Sequence, residues 1–268
     1  MKPKPGHLGL KYAEQCKDSS IVEVYHHRPP YADEAINKLI ELVIDEPRIV
    51  LDVGCGTGDL ARQIVSKVER VDAVDFSLPM IDKGKTLSEG DHQNLNWIVG
   101  RIEEVDLQPP YALITAGESL HWMEWEIVLP LFNRILTPRG YLALVTRYTE
   151  HNPWYNDVQE LINHFSTNHE YQPYNLVEEL KLRHLFEPSG FLITHPNSTS
   201  QSGEDYLKSF HSRNGLSRER MGEEAAMAFD EEVRSVISPF LQKGQLILSN
   251  RSVVVWGNPS APHSSNPQ

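Results

Sequence analysis

The chain has 268 residues, 40% of them hydrophobic and 23% charged, which is close to the globular average and enough to bury a sizeable core. Its 25 Lys and Arg against 37 Asp and Glu give a net charge of −12, a field that opposes polyphosphate and anionic lipid and argues against nucleic acid and membrane as partners. No window reaches the roughly 18 apolar residues of a membrane span, the basic start Met1-Lys2-Pro3-Lys4-Pro5-Gly6 carries no apolar run, and the only cysteines, Cys16 and Cys55, lack zinc-ligand spacing, so a cytoplasmic protein without a metal site is expected.

Taken in chain order, an N-terminal arm precedes a helix from Tyr31 to Ile44, where Ala35, Leu39, Leu42 and Val43 recur at helical spacing and Pro47 ends the run. Short apolar runs then alternate with helical stretches. Ile49-Val50-Leu51, Val71-Asp72-Ala73-Val74, Trp97-Ile98-Val99, Ala112-Leu113-Ile114 and Tyr141-Leu142-Ala143-Leu144-Val145 read as strands; Leu60 to Val68, Leu78 to Leu87 and Val128 to Leu136 read as helices. This rhythm predicts a three-layer α/β, doubly wound, mostly parallel sheet. Past Arg147, Trp154 to Phe165 and Asn175 to Phe186 look helical, Gly190-Phe191-Leu192-Ile193 is a strand, and Asp205 to Phe210 and Glu219 to Leu241 look helical again. Leu246-Ile247-Leu248 through Val253-Val254-Val255-Trp256 closes the pattern as one strand or two. The expectation is one domain over residues 1–256, with a core at about 45–149, cap helices at about 150–185 and 202–243, and a disordered, proline-bearing tail at 257–268.

The strongest chemical signal is Val50-Leu51-Asp52-Val53-Gly54-Cys55-Gly56-Thr57-Gly58-Asp59-Leu60, a strand running into a glycine-rich turn that opens a helix. Glycines at alternate positions let backbone approach a ligand where a Cβ would collide. The spacing Gly-x-Gly-x-Gly departs from the Gly-x-Gly-x-x-Gly dinucleotide fingerprint, which makes a nicotinamide cofactor the weaker reading. Asp75 ends the second strand. Its carboxylate either accepts both hydroxyls of a ribose or caps the helix that starts near Leu78. Phe76 and Met80 either flank an adenine or pack helix on sheet.

The order of Val50 to Gly58, Asp75-Phe76-Ser77-x-x-Met80, Gly100-Arg101-Ile102-Glu103 and Leu136-Thr137-Pro138-Arg139-Gly140-Tyr141-Leu142 resembles the class I S-adenosylmethionine-dependent methyltransferases over roughly residues 25–147. Arg28-Pro29-Pro30-Tyr31, Ser119-Leu120-His121-Trp122, Asn152-Pro153-Trp154-Tyr155 and Arg251-Ser252-Val253-Val254-Val255-Trp256-Gly257 are similar to its type 11, trans-aconitate methyltransferase-like branch. The resemblance implies a Rossmann-like sheet of seven strands and S-adenosylmethionine as cofactor. It places the methionine part on Gly54, Gly56 and Gly58, with Asp52 beside them. The ribose falls on Asp75, the adenine on Arg101 and Ile102, and the cofactor carboxylate near Tyr25 or Arg28. Ala112 stands where relatives usually carry an acid, which puts the rigidity of the loop in question.

The stretch Ala116 to Trp125 follows the fourth strand and so lies at the switch point of the sheet, where ligands bind. Glu118 there is expected to touch cofactor or substrate. His121 is either a general base, its ordinary pKa suiting the task, or a packing residue beside Trp122, which is itself a candidate to meet the substrate. Arg147, His211 and Arg213 either anchor an anionic substrate from the cap or lie solvated on the surface. The function expected is methyl transfer to a small molecule, at an oxygen of a carboxylate or hydroxyl, with a non-methylating cofactor-binding protein on the same fold as the alternative. Oligomeric state is not readable from the sequence.

Overall fold

The apolar runs that read as central strands are buried along almost their whole length, as strands covered on both faces must be. They are β1 (Ile49–Val53), β2 (Arg70–Asp75) and β4 (Tyr111–Gly117). The computed structural model describes residues 4, 6–9, 14–170, 172 and 174–260. With β3 (Leu95–Val99), β5 (Leu136–Thr149), β6 (Phe186–Ile193), β7 (Asn197–Ser202) and β8 (Gln245–Pro259) they form an eight-stranded sheet. The order is β3-β2-β1-β4-β5-β8-β6, with β7 paired to β8. Strands β1 to β5 run parallel to their neighbours, and β8 runs against β5, β6 and β7. From β1 the chain winds outward to β2 and β3, then returns to lay β4 on the other side of β1. The switch point is therefore the crevice beyond the carboxyl ends of β1 and β4.

Helices cover both faces. On one side α2 (Asp33–Glu41) and α3 (Ala61–Ile64) contribute Ala35, Leu39 and Ile64 to a buried cluster with Val50, Val71 and Leu113. On the other, α5 (Trp125–Ile135) and α7 (Leu176–Leu182) set Trp125, Phe132 and Leu180 against Leu51, Ile114 and Phe186. A separate apolar cluster builds the cap, where α6 (Tyr155–Phe165), α8 (Gly203–His211) and α10 (Glu223–Ile237) bring together Val158, Phe210, Phe229 and Val233 with Leu246 and Leu248 of β8. The N-terminal α1 (Ser19–Val24) joins arm to cap. Asp18 takes the Arg220 guanidinium at 2.6 Å, and Glu219 accepts Ser19 Oγ at 2.7 Å and the Ser20 N–H at 2.9 Å. Met80 of α4 (Leu78–Lys85) packs beneath Ile21 and Val22 of this arm.

Four expectations need correction. The sheet has an eighth strand because Asn197-Ser198-Thr199-Ser200-Gln201-Ser202, without a single apolar side chain, pairs by its backbone with the first half of β8. The helix expected from Asn175 to Phe186 stops at Leu182, Phe186 begins β6, and α7 belongs to the sheet's own helical layer because Leu180 is sealed among Trp125 and Phe186. The expected tail starts too early: Gly257, Asn258 and Pro259 continue β8 opposite Pro188, Glu187 and Phe186, whereas 261–268 lie outside the described residues. The long helix from Glu219 breaks at Gly222, whose φ of +78° turns the chain between α9 (Arg218–Met221) and α10.

Candidate active site

The turn after β1 holds Gly54, Gly56 and Gly58 at φ of +63°, +56° and +78°, all in the left-handed region. At Gly54 a Cβ would stand 2.5 Å from Ser119 Cβ, so the loop after β4 seats against this turn only because the residue is glycine. Ser119 Oγ donates to the Val53 carbonyl at 2.5 Å and fastens the two loops. Asp75 holds the turn from the end of β2. Its Oδ2 accepts the Gly56 N–H and its Oδ1 the Ser77 N–H, each at 2.8 Å, while burial raises its pKa. Ser77, not Asp75, occupies the N-cap position of α4.

These loops enclose a cavity of about 300 Å³ at the switch point, with Gly54, Gly56, Asp75, Ile102, Glu118 and Trp122 on its wall. Phe76, Met80, Arg101 and Tyr25 line it too. Met80 and Ile102 are buried and offer apolar surface, Phe76 lies half-buried with Lys17 Nζ 5.0 Å from its ring, and Arg101 turns to Glu103 and Glu104 at 3.6 and 3.8 Å. Tyr25 stands over Gly56, and Arg28 stacks on the Tyr25 ring at 4.3 Å. Arg28 in turn bonds Ser212 of the cap through Nε to Oγ at 2.9 Å and reaches Glu118 at 3.8 Å. Glu14 and Lys17 of the arm also line the cavity. Neither was singled out from sequence, because the arm carries no periodic pattern and only its resemblance placed it near a cofactor.

Three of the expected cofactor residues do not line this cavity: Arg28 lines the neighbouring recess instead, and Gly58 and Asp52 lie elsewhere. Gly58 faces the Trp97 ring, where a Cβ would meet it at 2.5 Å, so its smallness serves packing. Asp52 lies beneath the turn, 2% exposed, with Oδ1 accepting Thr115 Oγ1 at 2.8 Å, and burial pushes its pKa up to about 7. This bond between β1 and β4, with Ser119 on Val53, supplies the bracing that Ala112 left in question.

A second cavity of about 580 Å³ opens between the end of β5, α6 and α8, and Tyr148, His151, Tyr155, Tyr206, Phe210 and Arg213 stand on its wall. A recess of about 260 Å³ connects the two in composition. It shares Glu118 with the first cavity, and Arg147, Tyr148 and Arg213 with the second. Arg147 is held inside the wall, its guanidinium bonding the Pro29 carbonyl at 2.8 Å and Asp59 at 3.1 Å, with Glu118 at 3.4 Å and the Tyr31 ring at 4.4 Å. Its charge is spent on fixing the arm and two loops. His211 does not face a ligand at all: it is buried, with Leu216 O and Asp230 Oδ1 each 2.7 Å from a ring nitrogen, and Arg218 also closes on Asp230. His121 packs at 4.5 Å on Trp122 and lines neither cavity nor recess, whereas Trp122 faces the first cavity.

Residues 50–140 match the family model described as a methyltransferase domain. Over 110 residues the chain is 35% identical to a malonyl-[acyl-carrier protein] O-methyltransferase of Halalkalibacterium halodurans, which covers 38% of this chain and 40% of that protein. Over 245 residues it is 26% identical to an uncharacterized methyltransferase of Schizosaccharomyces pombe, covering 87% of this chain and 91% of the other. The chain spans 40% and 42% of the length of two malonyl-[acyl-carrier protein] O-methyltransferases it matches. Its fold is similar, at a TM-score of 0.61 and 20% identity, to the structure of a candidate type II methyltransferase from Anaeromyxobacter dehalogenans, over 87% of this chain and 99% of that one. The chain thus carries a methyltransferase domain at residues 50–140, on a sheet similar in fold to that of a solved candidate methyltransferase.

Proposed function

We propose that the chain methylates a small-molecule acceptor, at an oxygen of a carboxylate or hydroxyl, with S-adenosylmethionine as donor. The observation that carries this reading is the pairing of two cavities across one recess. One is built around a glycine turn and a carboxylate, the other is walled by aromatic rings under the cap. The first fits the cofactor. Gly54 leaves backbone where a side chain would intrude, Asp75 presents a carboxylate suited to ribose hydroxyls, and Phe76, Met80 and Ile102 supply apolar surface for adenine beside Arg101. Glu118 suits the ammonium group, with Tyr25 and Arg28 at the methionine carboxylate. When bound, S-adenosylmethionine supplies an electrophilic methyl group on sulfur.

The chain's own residues then position and shield. Tyr25 and Arg28 tie the arm across the glycine turn to Ser212 of the cap, and Trp122 closes the wall of the first cavity, which limits water at the reacting centre. His121 lies off both cavities, and a carboxylate acceptor, already anionic, needs no base; together these favour carboxylate oxygen over hydroxyl. The relatives named O-methyltransferases support oxygen as the acceptor atom. Among the described residues no helix is long and apolar enough to cross a membrane, and we place the reaction in the cytoplasm.

The test is transfer of tritiated methyl from S-adenosylmethionine to a panel of small carboxylic acids and alcohols. Label is expected in extractable ester or ether, and absent with Gly54→Val. Binding of S-adenosylhomocysteine without transfer to any acceptor would instead support a non-methylating cofactor-binding protein.

A further inference from the structure

The second cavity carries an unbalanced charge. Three guanidiniums, Arg28, Arg147 and Arg213, line the recess at its mouth. Glu118 serves Arg28 at 3.8 Å and Arg147 at 3.4 Å, and Asp59 takes Arg147 from its other side at 3.1 Å. The carboxylate that lines the larger cavity, Glu150, is taken by Arg251 at 2.6 Å and Ser249 at 2.5 Å. Two carboxylates thus answer three cations. The remainder falls on Arg213, whose guanidinium has no hydrogen-bond or ion-pair partner among the described residues and whose one ring contact is Phe210 at 4.8 Å. Arg213 is an exposed residue on this wall, with Arg28 as its neighbouring like charge.

The wall around Arg213 is aromatic. Tyr148, His151, Tyr155, Tyr206 and Phe210 all line the cavity, with His151 and Tyr155 stacked at 3.9 Å and 20°. Tyr148 and Tyr155 remain 45% and 37% exposed, so each keeps surface that the protein's own packing does not consume, although His151 takes one face of Tyr155. A guanidinium offers a planar donor fork that matches an oxyanion in two places, and flat rings favour a flat partner. The volume of about 580 Å³ lies in the range of small-molecule sites.

We propose that this cavity holds a small aromatic or conjugated monoanion, with its oxyanion on Arg213 and its flat body among Tyr148, His151, Tyr155 and Tyr206. As an assignment of the acceptor it rests on the methyl-transfer reading; as a binding site it stands on its own. Arg213 is then the residue that selects charge, and the rings select shape.

The test is calorimetric titration of the protein, saturated with S-adenosylhomocysteine and also without it, using benzoate, benzamide and inorganic phosphate as probes. Benzoate is expected to bind at least tenfold more tightly than neutral benzamide and than phosphate. Arg213→Gln is expected to erase the preference over benzamide while leaving S-adenosylhomocysteine affinity unchanged, and Arg213→Lys to keep part of it. Equal binding of benzoate and benzamide by the wild type, or an unaltered preference in Arg213→Gln, overturns the charge assignment. Phosphate binding as tightly as benzoate overturns the aromatic one. Failure of S-adenosylhomocysteine to bind while benzoate binds as described refutes the methyltransferase reading and leaves the anion site standing.

Discussion

Replacing Asp52 by Asn should remove a specific pH dependence of stability. The carboxyl is sealed beneath the glycine turn at 2% exposure, with Thr115 Oγ1 at 2.8 Å and the Ala61 N–H as its donors, and burial lifts its pKa to about 7. In the unfolded chain the same group titrates near ~3.9. Between those values the folded protein holds a proton that the unfolded chain has released. This raised pKa therefore contributes stability that is present in full below about pH 4 and is lost as pH rises through about 7. At about 1.4 kcal/mol per pH unit over about three units, the loss is about 4 kcal/mol. Asparagine has nearly the shape of the neutral acid and no proton to lose. Urea unfolding of both proteins from pH 4.5 to 8, followed by tryptophan fluorescence, should show wild-type stability falling relative to Asp52→Asn up to about pH 7 and running parallel above it. A constant offset across that range would refute the argument that this carboxyl is held protonated by burial.

Three further substitutions probe other parts of the account. Gly54→Ala combines a φ of +63° with a Cβ 2.5 Å from that of Ser119, so it should cost about 1–3 kcal/mol in denaturant stability and weaken S-adenosylhomocysteine at least tenfold by calorimetry. Arg147→Met should destabilise the protein by about 1–3 kcal/mol in urea, because Asp59 and Glu118 lose their shared cation while keeping Arg62 at 3.2 Å and Arg28 at 3.8 Å. His211→Ala should cost about 3 kcal/mol and open the cap to limited proteolysis between α8 and α10, yet leave S-adenosylhomocysteine binding intact, since His211 touches Asp230 and Leu216 rather than either cavity.

The parts of the molecule that are legible in the sequence are those where one residue type has one use. Buried strands announce themselves as apolar runs, and Gly54 and Gly56 announce a turn that backbone geometry reserves for glycine. The strand β7 does not, because its six residues are all polar and are held by backbone pairing to β8 and by side-chain bonds such as Asn250 Nδ2 to Thr199 Oγ1. Arginines and histidines are the hardest to read, since their roles depend on which carboxylates the fold brings to them. Arg147, Arg213 and His211 look alike along the chain, yet one is neutralised by Asp59 and Glu118, one has no hydrogen-bond or ion-pair partner among the described residues, and one is buried against Asp230. Glu14 and Lys17 reach the first cavity only because α1 docks on Met80, a contact between segments about sixty residues apart.

The central claim is that the cavity at the switch point holds S-adenosylmethionine, and titration of the wild type with S-adenosylhomocysteine and with NAD, by calorimetry and thermal unfolding, tests it most directly. One equivalent of S-adenosylhomocysteine should bind, and at a hundredfold excess over Kd it should stabilise the fold by about 2.7 kcal/mol, a melting shift of roughly 5–10 °C, while NAD leaves the transition unmoved. Binding of NAD in preference to S-adenosylhomocysteine, or no shift with either at millimolar concentration, would contradict it.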